Sequence, residues 1–147
     1  MLHRLFPVVF VVACSEPGPP VDHAARRAAF HAELELSLGA AWNAPMAEVV
    51  GGAKVSAGQE IYDKSCGNCH GTTLDGRGPR SGGVDPRPPA LVGDQAAKLP
   101  PAALLAIVRD GSPGTGMAPW GRAFSEAQLR DVVAYILARR QGAATHK

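Results

Sequence analysis

The sequence predicts an all-α fold, three to four helices joined by long Gly/Pro-rich loops. Three observations carry this. Segments 23–38, 101–110 and 125–140 read as helices, the first and last with apolar residues at helical spacing. The chain holds 17 glycines and 13 prolines, many of them after residue 71, and almost no periodic pattern survives between His70 and Pro100. Directly before that loop stands a five-residue motif, Cys66-Gly-Asn-Cys69-His70, with no βαβ pattern around it.

Composition sets outer bounds. The 147 residues are about one domain's worth. Apolar residues make up 46% but aromatic residues only 5%, so much of the apolar count is alanine. A formal charge of +2 gives no electrostatic case for nucleic acid, and no nucleic-acid partner is expected. No stretch reaches the roughly 18 apolar residues of a spanning helix.

Residues 1–13 read as a targeting segment. Arg4 supplies the charge, and the apolar run Leu5 to Ala13 fits the roughly 7–15 residues of a secretory h-region. Its end, Val11-Val12-Ala13-Cys14, resembles a bacterial lipobox. That resemblance implies cleavage before Cys14, lipidation of Cys14 and membrane anchoring on the periplasmic side. Ser15 after the cysteine, rather than Asp, is compatible with the outer membrane. The other readings are a conventional signal peptide with an incidental cysteine, releasing a soluble periplasmic protein, or an uncleaved anchor.

Residues 14–52 read as anchor and tether. "SEPGPPVD" is a proline-rich linker. The helix 23–38 follows, with Asp22 as cap, Gly39 as stop, and Phe30, Leu34 and Leu38 on one face. His23 and His31 are expected as solvated helix residues. Residues 42–55 are expected to return to loop, with Met46 as an isolated packing residue.

A compact domain is expected over 53–141, with 142–147 as a flexible tail. Its first helix, 56–66, is expected to open on a Ser56/Gln59 capping box and to present Cys66 and Cys69 at i, i+3. The last opens on a Ser125/Gln128 box, carries Leu129, Val132, Val133, Ile136 and Leu137 on one stripe, and puts Arg139 and Arg140 in its final turn. Tyr135 is expected to meet the first helix near Gly58.

Three chemistries can use two cysteines and a histidine at this spacing. Zinc needs about four ligands, and no further histidine lies between 71 and 145. A dithiol redox centre belongs near a βαβ pattern. Covalent haem attachment needs two thiols for two vinyl groups and an adjacent imidazole for the iron, which is the form C-x-x-C-H takes. A second signal favours haem: the one downstream methionine, Met117, stands in "GSPGTGMAPWGRAF" among glycines and prolines rather than in a periodic apolar segment.

With these residues in order, the stretch 53–141 resembles a class I c-type cytochrome carrying one haem c. The resemblance rests on Gly58 and Tyr62, "CGNCHG", "PPAL", Met117 with Pro119, and the terminal helix. It implies Cys66 and Cys69 as haem thioethers, His70 as proximal ligand and Met117 as distal ligand. It implies a Pro89 carbonyl accepting from His70, Leu91 packed on the haem, and Trp120 near its edge. A six-coordinate iron implies electron transfer between respiratory redox partners rather than catalysis. A fixed haem subunit of a larger oxidoreductase is the main alternative, with 23–38 as docking element, and a haem sensor is the lesser one. A haem also answers the objection to a thirty-residue patternless loop in a small domain.

Overall fold

The computed structural model of the protein describes residues 21–144, and Cys14 lies outside them. Among the described residues every regular element is helical. In chain order they are α1 (His23–Leu38), a 3-10 turn (Gly39–Asn43), α2 (Met46–Val50), α3 (Val55–Ser65) and α4 (Gly67–His70). A second 3-10 turn (Ser81–Gly83), α5 (Asp94–Ala97), α6 (Pro101–Asp110) and α7 (Glu126–Ala144) complete the chain. No helix among the described residues is long and apolar enough to cross a membrane.

The packing of α3 on α7 organises the domain. Gly58 lets the two backbones touch: a Cβ there would fall inside the Asp131 carbonyl. One turn on, fully buried Tyr62 lies against Tyr135, ring centroids 5.3 Å apart and planes tilted 51°. Tyr135 thus meets Tyr62, and the residues at Gly58 are Asp131 and Val132. The α7 stripe read from the sequence is the core face, with Leu129, Val132, Val133, Ile136 and Leu137 all buried. The short α6 starts on Pro101, where a missing N–H costs nothing, and buries five of its ten residues against α7.

The capping expectations divide. Ser125 and Gln128 form the reciprocal box at the head of α7, with Ser125 N–H donating to Oε1 at 2.9 Å and Gln128 N–H to Oγ at 3.3 Å. The box expected at α3 does not form. That helix begins at Val55, which places Ser56 inside its first turn, and Lys54 at the cap donates its N–H to Asp131 Oδ1 of α7 at 2.6 Å. A tertiary partner has replaced the local one. Arg139 and Arg140 also depart from expectation. Helix α7 runs to Ala144, so neither lies in its last turn. Arg139 donates to the Tyr135 hydroxyl at 2.9 Å, and Arg140 reaches back to a loop.

The tether helix α1 has the expected bounds. Asp22 Oδ1 accepts from the N–H groups of Ala24 and Ala25 at 3.0 and 2.9 Å, and Gly39 ends the helix with φ of 51°. The helix packs on α6, with Phe30, Leu34 and Leu38 half-buried, and buries no residue fully. His23, expected in solvent, faces Asp85 at 3.3 Å. Residues 42–55 are not all loop, because α2 buries Val49, whose carbonyl accepts from Arg130 Nη1 at 3.1 Å. Five residues are too few to display a period, so only tertiary contact reveals this helix. Met46 is 41% exposed, its sulfur 3.9 Å from Gln141 Nε2, and it fills no core space.

Candidate functional site

The two cysteines and the histidine are not carried on one continuous helix. Helix α3 stops at Ser65, Cys66 forms the joint, and Cys69 and His70 stand on the separate turn α4. The four carbonyls of α4 need partners, as at any helix end. Gly71 N–H takes that of Gly67 at 2.9 Å and Arg80 that of Asn68 at 2.8 Å. Gly78 takes that of Cys69 at 3.1 Å and Gly76 that of His70 at 2.9 Å. The loop after the motif therefore closes over the motif's own backbone. Gly78 lies so close that a Cβ would overlap the Asn68 carbonyl. The Tyr62 hydroxyl donates to the Gly71 carbonyl at 2.7 Å, which joins the α3–α7 core to the same loop. Burial, and next Cys66, push the Tyr62 hydroxyl well above the usual phenol range.

His70 is 9% exposed, and its Nδ1 lies 3.2 Å from the Pro89 carbonyl. A carbonyl only accepts, so Nδ1 carries the proton and Nε2 keeps its lone pair. Burial lowers the pKa of the ring, and the Pro89 carbonyl opposes this without reversing it. A neutral imidazole with one committed nitrogen is the form in which histidine binds iron.

The arc that supplies this carbonyl is held from below. Leu91 N–H donates to the Leu74 carbonyl at 2.7 Å. Leu74 is fully buried with φ of 62°, a left-handed conformation that costs a leucine roughly 1–2 kcal/mol. The Leu91 carbonyl accepts from Arg140 Nε at 2.9 Å.

Met117 belongs to a tight loop sewn to the end of α6. The Thr115 hydroxyl donates to the Ser112 carbonyl at 2.7 Å and accepts the Met117 N–H at 3.1 Å. Ser112 N–H returns to the Met117 carbonyl at 3.1 Å. Trp120 N–H takes the Val108 carbonyl at 3.1 Å, and the Trp120 ring stacks on Phe124 at 5.5 Å.

Ile61, Cys66, Leu91, Met117, Trp120 and Phe124 all pack on the central core yet stay partly exposed. Cys66 and Cys69 are free thiols. Burial, and next Cys69, push the Cys66 thiol up to about 11, so it is protonated at neutral pH. These residues fit a haem: paired thiols in one turn, an imidazole with Nε2 uncommitted, a thioether sulfur, and apolar side chains left half-covered. Among the described residues no group of three or more His, Cys, Asp or Glu side chains could hold a bare metal ion.

Sequence reasoning found Cys66, Cys69, His70, Pro89, Leu91, Met117 and Trp120 as candidates; the structure places them on α4 and its joint, the 89–91 arc and the α6–α7 loop, and brings His70 to Pro89. It missed Leu74, Thr115 and Arg140. Thr115 was open to detection, since a threonine between glycines favours a side-chain turn. Arg140 was open to detection too, since it continues the α7 stripe four residues after Ile136, whereas Leu74 carries no local signal.

Residues 53–136, more than half of the chain, match the family model described as "Cytochrome C oxidase, cbb3-type, subunit III". No curated protein matches. Among solved structures, a chain of the Kuenenia stuttgartiensis reducing HAO-like protein complex is similar, with a TM-score of 0.53 and 23% sequence identity. The match covers 64% of this chain and 46% of that one, and at this identity it speaks for the fold alone.

Proposed function

Since the chain belongs to the family described as cbb3-type cytochrome c oxidase subunit III, and so carries a c-type cytochrome domain, we propose that it is a mono-haem, membrane-tethered one-electron carrier. The family implies covalently bound haem c and points to electron transfer. The observation that carries the finer reading is the His70–Pro89 contact beside Cys66 and Cys69.

In this reading Cys66 and Cys69 hold the haem as thioethers, His70 Nε2 is the proximal ligand and the Met117 sulfur the distal one. Haem bound there supplies one-electron exchange between Fe(II) and Fe(III). The Pro89 carbonyl holds the imidazole in one orientation and makes it more basic. The thioether of Met117 favours the reduced state and raises the potential. Leu91 and Trp120 exclude water. The Thr115 clamp limits movement of Met117, so ligand geometry changes little when the oxidation state does.

Met117→Ala tests the ligand set. Covalent haem is expected to remain while the weak far-red band of oxidised Met–iron disappears. The potential should fall by about 0.1 V or more, and the reduced protein should begin to bind CO. An unchanged spectrum and potential would remove Met117 from the site. One iron per chain in the purified protein is the count that mono-haem requires.

Cys14 is proposed as the lipid carrier on the periplasmic side of a bacterial membrane, with redox proteins of a respiratory chain as partners. Several acyl chains, at roughly 0.8 kcal/mol per buried CH2, hold a small protein stably on a bilayer. Cys14→Ala should move the protein from the membrane to the soluble periplasmic fraction, and retention on the membrane would sink the lipid assignment.

A second reading, a fixed haem subunit of a larger oxidoreductase, is favoured by the description of the matching family, an oxidase subunit. Helix α1 lends it less support than its sequence suggested, because the helix already packs on the chain's own α6 and its Phe30, Leu34 and Leu38 are half-buried. A stoichiometric partner retained through purification would select this reading over a free shuttle.

A further inference from the structure

Arg140 ties the far end of α7 by hydrogen bonds to the arc carrying the Pro89 carbonyl, and its placement gives it a task. Its Nε donates to the Leu91 carbonyl at 2.9 Å and its Nη1 to the Leu99 carbonyl at 3.1 Å. The two acceptors are the ends of the segment 91–99. Inside that segment the backbone hydrogen bonds are local: Ala97 to Gly93, Lys98 to Gln95, Leu99 to Ala96. They shape α5 without attaching it to the domain. The backbone tie from this arc to the rest of the fold is Leu91 N–H to the Leu74 carbonyl. Burial works against the charge of Arg140, lowering its pKa, and a half-buried guanidinium spent on two carbonyls is costly as core filling. An apolar residue would pack there at lower cost. A planar fork that spans two carbonyls is what guanidinium offers and a lysine ammonium does not.

We infer that Arg140 is a positioning residue for the proximal histidine: by stapling Leu91 to Leu99 it fixes the arc that aims the Pro89 carbonyl at His70 Nδ1. One residue, Ala90, separates the stapled carbonyl from the functional one, and Leu91 is held on both faces, from Leu74 through its N–H and from Arg140 through its C=O. The stripe of α7 that packs on α3 continues into this staple, so one helix sets both the seat of α4 and the orientation of its histidine. The inference rests on the reading of His70 as an iron ligand.

The test is hydrogen exchange by NMR on the full chain loaded with haem, wild type against Arg140→Met and Arg140→Lys. Both variants should speed exchange of the His70 Nδ1–H and the Leu91 N–H at least about tenfold, the loss of a charge-assisted hydrogen bond. Core amides such as Val132 and Val133 should change far less. Acceleration in Arg140→Met alone would show that charge, not the fork, matters, and would overturn the inference. Equal acceleration of all amides would reduce Arg140 to general stability, and no acceleration would remove its role. If wild-type chain retains no covalent haem, the reading of the site fails by itself, while the Leu91 contrast still reports on the staple.

Discussion

Cys66→Ala/Cys69→Ala should yield a chain that neither retains haem nor melts cooperatively. The buried apolar residues belong mostly to α6 and α7, with Tyr62 from α3 and Val49 from α2. The stretch from Gly71 to Pro100 adds only Leu74 and Ala96 to them. Ordering this stretch costs conformational entropy, and it buries too little apolar surface of its own to offset that cost. The half-exposed Leu91, Val92 and Leu99 show where apolar burial is still to be gained. A covalently held apolar ring is the natural source of it. Far-UV circular dichroism of the variant should show partial helix and a broad, shallow melt. A sharp, native-like transition would mean that the polypeptide core suffices, and the haem would then be a passenger on the fold.

The parts legible in the sequence were those whose causes are local. Asp22 and Gly39 bound α1 because a carboxylate cap and a left-handed stop act within a few residues. The Ser125/Gln128 box works for the same reason. The core stripe of α7 was legible because burial on one face imposes a period over many turns. Cys66, Cys69 and His70 stood out as candidates because covalent haem attachment demands that spacing. What escaped was set by distant partners. Lys54 is capped by Asp131, seventy-seven residues away. The carbonyls of α4 choose the path of the loop after it, so that loop has no period yet has a definite course. Arg140 carries the sequence marks of a dipole-matching cation, but its register with buried Ile136 and Leu137 turns it inward, and the helix runs past it to Ala144.

Gly58→Ala should destabilise the protein by about 2–4 kcal/mol, although the same change in an exposed helix stabilises by about 1 kcal/mol. The reversal of sign is the point of the experiment. On propensity alone alanine is the better residue for the middle of α3. At this position its Cβ would occupy the place of the Asp131 carbonyl, with the Val132 nitrogen 3.0 Å away. Backbone atoms in the middle of α7 cannot rotate aside as the end of a side chain can, so the helices must separate. Separation would also stretch the Lys54 N–H to Asp131 bond, now 2.6 Å, and loosen Tyr62 on Tyr135. Tyr62 donates to the Gly71 carbonyl, next to His70, so the disturbance reaches the edge of the proposed haem site without touching a proposed iron ligand. For a domain of this size each kcal/mol is worth about 4–8 °C, which puts the fall in Tm on the order of 10–20 °C. The far-red band should survive below that temperature, because the ligands remain in place while the fold holds. A Tm that rises, as helix propensity alone requires, would show that α3 and α7 do not meet at Gly58, and the placement of α4 by that contact would fall with it.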